Sequence, residues 1–219
     1  MITRIITIDG PAGAGKTTIS KLLSQKLGII YVDTGALYRG VAFEIQKLNI
    51  DWKDDYALET FLKKLDLNFS MKNRSLVLMS CGCDISKYIR TPEISMLASS
   101  TSARPQVRDA LLDIQRKIAK TKDAVFEGRD MGSVVFPEAQ YKFFLFADLS
   151  VRAKRRFDEM PDKTEDINKV KLEMQTRDNN DSQREIAPLK AAIDAIKIDS
   201  TFLSIEQVVE KMFKIIEKP

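Results

Sequence analysis

Residues 10–17 read Gly-Pro-Ala-Gly-Ala-Gly-Lys-Thr, in which Gly10 and Gly15 enclose four residues and Lys16 and Thr17 follow. An apolar, β-branched run at residues 5–8 precedes this stretch. Ile19, Leu22, Leu23 and Leu27 follow it at three- and four-residue spacing, with Gly28 as a stop signal. The pattern is a buried strand turning through glycines into an amphipathic helix. Few sequences constrain a fold more tightly, because such a turn aims consecutive backbone N–H groups and the positive end of a helix at one anion. It is the pattern of a phosphate-binding loop in its expected strand-to-helix context. Gly10, Pro11, Ala12, Gly13, Ala14, Gly15, Lys16, Thr17 and Thr18 therefore form the predicted nucleoside triphosphate site. Lys16 neutralises charge on the β- and γ-phosphates, and the Thr17 hydroxyl is the expected Mg²⁺ ligand.

The pattern repeats in kind along the chain. Residues 29–32 read as a second buried strand, and 36–48 as a helix opened by Asp33, Thr34 and Gly35. Further strands are expected at 124–126, 142–147 and 195–198, and helices at 107–119, 150–159 and 166–177. Ser204 and Gln207 form a capping box for a terminal helix. Alternating strands and helices predict an α/β fold with a five-stranded parallel sheet flanked by helices in three layers. Residues 51–99 differ in style. A helix at 56–65, strands at 67–70 and 75–79 around the turn Lys72-Asn73-Arg74, and an extended piece at 84–85 predict a small antiparallel insertion. The expected organisation is one domain, with a core of 1–64, 100–149 and 185–219, an insertion of 65–99, and a helical lid of 150–184. The lid's basic helix is expected to break at Pro161.

Composition removes several functions. The chain of 219 residues contains no His, which excludes His-based acid–base catalysis, Ser-His-Asp arrangements and His-containing metal sites. The two cysteines, Cys81 and Cys83, are too few for a four-Cys zinc site and read as reduced thiols. No apolar run approaches the ~18 residues of a membrane-spanning helix, and the first residues lack a signal-peptide pattern. A cytoplasmic monomer with no membrane partner is expected. The net charge of +4 suits an anionic partner without choosing between nucleic acid and a small phosphorylated ligand. A guanine-reading Asn-Lys-x-Asp is missing, since Asn168-Lys169-Val170-Lys171 lacks the Asp. The size and the arginines of the second half suit a small-molecule kinase.

A kinase that joins two phosphorylated substrates must screen repulsion between their oxygens, and arginine's planar, permanently charged fork suits that task. The clusters are Asp33-Thr34-Gly35-Ala36-Leu37-Tyr38-Arg39, Pro105-Gln106-Val107-Arg108, Gly128-Arg129-Asp130-Met131-Gly132 and Arg177-Asp178-Asn179-Asn180-Asp181-Ser182-Gln183-Arg184. With the glycine-rich loop and the Asp199-Ser200-Thr201 segment, the chain resembles the bacterial cytidylate (CMP) kinases over nearly its whole length.

That resemblance implies transfer of phosphate from ATP to CMP or dCMP, with no nucleic acid partner. It implies that Thr34, Arg39, Arg129 and Arg184 hold the CMP phosphate, and that Ser99, Arg108 and Asp130 read cytosine. Arg177 and Asp181 would hold the pentose, and Tyr38 would pack at the CMP site. Lys16, Arg129 and Arg184 are the expected catalytic charges. Arg152, with Arg155 and Arg156 at helical spacing, would present guanidiniums from the lid; Arg152 and Arg156 are assigned to ATP. The Asp199-Ser200-Thr201 segment is a candidate adenine loop. A kinase for UMP, shikimate or gluconate on the same fold, and an RNA-binding module that retains a nucleotide loop, are the alternatives.

Overall fold

The computed structural model describes residues 3–72, 75–160 and 166–218. The expected turn at Asn73 and Arg74 and the break at Pro161 lie outside the described residues. The chain opens with β1 (Ile5–Asp9), α1 (Lys16–Leu27), β2 (Ile30–Asp33), α2 (Thr34–Lys47) and α3 (Asp55–Lys63). It continues with β3 (Leu67–Lys72), β4 (Ser75–Ser80), β5 (Cys83–Asp84), α4 (Pro92–Thr101) and α5 (Pro105–Ala119). Then come β6 (Ala124–Glu127), a π-helical turn (Met131–Val135), β7 (Tyr141–Phe146), α6 (Leu149–Asp158), α7 (Ile167–Gln183), β8 (Ile196–Asp199) and α8 (Ile205–Ile216). These elements fall into two compact units, Met1–Tyr31 with Lys122–Pro219, and Val32–Thr121.

The first unit is built on a five-stranded sheet of order β2-β6-β1-β7-β8, and β1 pairs in parallel with both β6 and β7. All five residues of β1 are buried, which explains its continuous apolar run. Ile6, Ile8, Val125, Phe143 and Leu145 share a core with Ile19 and Leu23 of α1 and Val208 and Met212 of α8. Left-handed glycines set the loop between β1 and α1. Gly10 has φ 145°, and a Cβ there would run into the Leu145 carbonyl oxygen. Gly15, at φ 90°, precedes the first helical residue, Lys16. The capping box at Ser204 and Gln207 is formed, with both reciprocal bonds present.

The second unit holds the antiparallel sheet β3-β4-β5. Three short strands bury little by themselves, and their core partners come from the helices around them. Leu67 and Leu78 pack with Leu37, Val41, Leu58, Ile94, Val107 and Leu111. Gly40 in α2 permits the approach, since a Cβ there would lie 2.7 Å from a Leu78 methyl. The strands thus sit inside the expected 65–99 segment, while the compact body around them also takes in α2, α3 and α5. Cys81 and Cys83 are exposed free thiols at the β4–β5 turn.

Two elements depart from the sequence expectation. Helix α7 continues to Gln183 instead of ending at 177, although Asp178, Asn179, Asn180 and Asp181 are weak helix formers. Tertiary pairing outweighs propensity there: Asp178 bonds Arg152 and Asp181 bonds Arg129. The π-helical turn after Asp130 was not expected either. The Asp9 carboxylate accepts from Met131 N at 2.9 Å and Gly132 N at 2.8 Å, which holds its first turn.

Candidate active site

The loop of residues 10–18 lies at the carboxyl end of β1, between β6 and β7, where a parallel sheet offers its ligand crevice. Lys16 is buried and its ammonium donates to the Pro11 carbonyl at 2.7 Å, folding back across its own loop. Burial first, and Arg129 second, press its pKa from 10.5 down to about 7. The Ser200 hydroxyl donates to Ala14 O at 3.3 Å, so the Asp199-Ser200-Thr201 segment is tied to this loop.

Glu127, at the end of β6, is a residue that the sequence reading passed over. The Thr17 hydroxyl donates to its Oε1 at 2.9 Å and the Tyr31 phenol to its Oε2 at 2.5 Å. Both carboxylate oxygens are thereby oriented beside the loop. A hydroxyl and a carboxylate are oxygen donors suited to a hard cation. No cluster of three or more His, Cys, Asp or Glu that could hold a metal occurs among the described residues. That set fits Mg²⁺, which takes one or two protein groups and completes its shell with waters and phosphate oxygens.

Two arginines of this unit gather on one carboxylate of α7. Arg129 Nε donates to Asp181 Oδ2 at 3.1 Å, and Arg177 Nε lies 4.0 Å from the same oxygen. Burial acts against the Arg129 charge, but Asp181 outweighs it and holds the pKa above its usual value. Arg184 Nη2 lies 3.6 Å from Asp130 Oδ1, with both side chains at least 95% buried. Asp130 occupies the N-cap position of the π-helical turn yet its side chain makes no capping bond.

The three lid arginines do not share one destination. Arg152 is buried and donates to Ala147 O at 2.9 Å, Ala12 O at 3.0 Å and Asp178 Oδ2 at 2.6 Å. Arg155 donates to Ser200 O at 2.7 Å. Arg156 remains 43% exposed, 3.7 Å from Glu159.

The second unit carries a set of its own at the start of α2. Asp33 caps this helix, accepting from Ala36 N at 3.0 Å, which places Thr34 in the first turn. Arg39 Nη2 donates to Asp33 Oδ2 at 2.8 Å, and Arg90, absent from the sequence reading, donates to the same oxygen at 3.1 Å. Burial pushes the Asp33 carboxyl up, and Arg39 and Arg90 overcome it, leaving it below its ordinary value. Deeper in this unit the Arg108 guanidinium lies 5.6 Å from the Tyr38 ring centroid and donates to Ser102 O at 3.3 Å. The Ser102 hydroxyl donates to Ser99 O at 2.8 Å, so the buried Arg108 and Ser99 belong to one group with the partly buried Tyr38.

These charges make a pH prediction. The folded Lys16 binds fewer protons than an unfolded lysine between about 7 and 10.5, so its contribution to stability increases with pH across that window. Asp9 acts below it: burial raises its pKa from 3.8 to about 7, so its contribution is lost as pH rises over that range. Without nucleotide, these two groups together give least stability near pH 7. Thermal unfolding should show the alkaline gain, on the order of a few kcal/mol, in the wild-type chain and not in Lys16→Met.

The profile of the cytidylate kinase family matches residues 6–218. The cytidylate kinase of Thermosipho melanesiensis is 47% identical, over 97% of this chain and 96% of its own. That of Caldicellulosiruptor bescii is 45% identical, over 97% and 95%. Among solved structures, the shikimate kinase of Bacteroides thetaiotaomicron aligns with a TM-score of 0.52 at 13% identity, over 98% of this chain and 99% of its own. That last likeness is one of fold.

Proposed function

The chain belongs to the cytidylate kinase family, and from that premise we propose that it passes the γ-phosphate of ATP to CMP or dCMP by direct in-line displacement. The products are ADP and CDP or dCDP. The observation that carries this reading is the Lys16 ammonium, buried in a glycine loop at the carboxyl end of β1 and lowered in pKa first by that burial and then by Arg129. Buried Lys16 and the largely buried Arg129 repel each other, and both are stabilised when a polyanion arrives.

The residues then divide the work. Backbone N–H groups of residues 10–18 and the first turn of α1 bind the ATP phosphates. Lys16 leaves the Pro11 carbonyl for the β- and γ-phosphates. Thr17 would hold Mg²⁺, with Glu127 taking the hydroxyl proton as a hydrogen bond so that the oxygen lone pairs face the ion. When bound, the ion withdraws charge from the phosphate oxygens. Arg129 and Arg184 neutralise the transferring group, while Thr34 and Arg39 hold the acceptor phosphate. Ser99, Arg108 and Asp130 read cytosine, because a carboxylate accepts from the exocyclic amine that uracil lacks. Arg177 and Asp181 serve the pentose. Residues 150–184 act as the lid over ATP, with Arg156 the lid arginine most open to a phosphate. No covalent enzyme intermediate and no strong base are required; catalysis rests on positioning and charge.

Chromatography of a quenched reaction tests the proposal. Equimolar ADP and CDP, appearing together from ATP and CMP, are expected. ADP and inorganic phosphate without CDP would refute it.

A further inference from the structure

Arg90 ends the stretch that leads into α4, and its guanidinium reaches the carboxylate that also holds Arg39. The grouping is unbalanced. Two arginines face one Asp33 oxygen at the N-terminal end of α2, where backbone N–H groups add positive potential. An ion pair on a surface contributes little to stability, and Arg39 alone already neutralises Asp33. A second guanidinium there brings like-charge repulsion and leaves a surplus of one positive charge.

Three further observations indicate what the surplus is for. Arg90 is 56% exposed while Asp33 and Arg39 are each 14% exposed, so its fork is open to a ligand as theirs are not. Arg39 Nε is buried and has no hydrogen-bond partner among the described residues. Gly35 keeps the ground above the pair clear, because a Cβ there would lie 2.9 Å from Arg39 Nη1 and 3.2 Å from Asp33 Oδ1.

We propose that Arg90 is a further acceptor-binding residue, a second guanidinium that joins Arg39 on the phosphate monoester of the incoming nucleotide. The inference rests on the reading of Thr34 and Arg39 as that phosphate's hold. Asp33 keeps both forks oriented in the unliganded chain. A dianionic phosphate offers each of them a stronger, charge-assisted partner than a carboxylate already shared between two.

Comparison of CMP with cytidine, which lacks the phosphate, tests this in steady-state kinetics with cytidine as a competitive inhibitor. Arg90→Ala should raise KM for CMP about 10- to 100-fold. It should leave kcat within about threefold, with KM for ATP and the inhibition constant of cytidine unchanged. Arg90→Lys, which keeps the charge and loses the fork, should fall between wild type and Arg90→Ala. An unchanged KM for CMP in Arg90→Ala would overturn the proposal. Equal weakening of CMP and cytidine would overturn it too, since that marks a pentose contact or a structural role. Arg39→Ala, measured in parallel, isolates the underlying reading: if it leaves KM for CMP unchanged, the assignment of the phosphate site itself is wrong.

Discussion

Lys16→Ala is expected to lower kcat for CDP formation by roughly 10³-fold or more, the scale of losing one preorganised charge on a transferring phosphoryl group. The ammonium is the loop's own cation, buried and held 2.7 Å from the Pro11 carbonyl, the partner that nucleotide replaces in the proposed mechanism. Its removal also relieves the cost of burying its charge and then its repulsion with Arg129, the two largest causes of its lowered pKa. The variant should therefore fold at least as well as wild type near neutral pH while failing to transfer phosphate. Rapid-quench measurement of CDP, with thermal unfolding as the control for folding, reads both. Near-normal turnover in a folded Lys16→Ala would remove the loop from the mechanism.

Asp130→Ala should reduce the preference for CMP over UMP by roughly 10- to 100-fold, the range of one base-edge contact, while ATP binding persists. The geometry adds a second consequence. Asp130 faces Arg184 at 3.6 Å, and both side chains are almost wholly buried. Loss of the carboxylate leaves a buried guanidinium without this counter-charge, so stability should fall, and kcat with it on the proposed role of Arg184 as a charge on the transferring group. Discrimination has to be read as the ratio of kcat/KM for the two acceptors, in which shared losses cancel. Asp130→Asn separates the effects: it keeps the shape and one acceptor oxygen, and its ratio should lie between those of wild type and Asp130→Ala.

Beyond the parallel sheet, most of what the residues themselves revealed was local. The glycine loop, the Ser204 capping box, the strand runs and the small hairpin all depend on neighbours within a few residues, and each appears in the structure. Asp33 shows the limit of this. Its place at the start of a helix is legible, but its second task, gathering Arg39 and Arg90, joins positions 57 residues apart. Glu127 is further removed, meeting Thr17 across 110 residues of chain. Helix α7 shows the same limit in reverse. Its polar end reads as a stop, and it remains helical because Asp178 and Asp181 find arginines that sequence spacing does not predict. The lid arginines share a helical face by spacing alone. The fold gives Arg152 to Ala12 and Asp178, gives Arg155 to Ser200, and leaves Arg156 in the open.

In the proposed reaction Lys16 and the arginines bring a triphosphate to a monophosphate whose base carries an exocyclic amine. ADP release by the purified chain, followed in a coupled assay with ATP alone and then with CMP, dCMP or UMP added, tests it most directly. Little ADP is expected from ATP alone, rapid release with CMP and dCMP, and weak release with UMP. Release at one rate under all four conditions would contradict it.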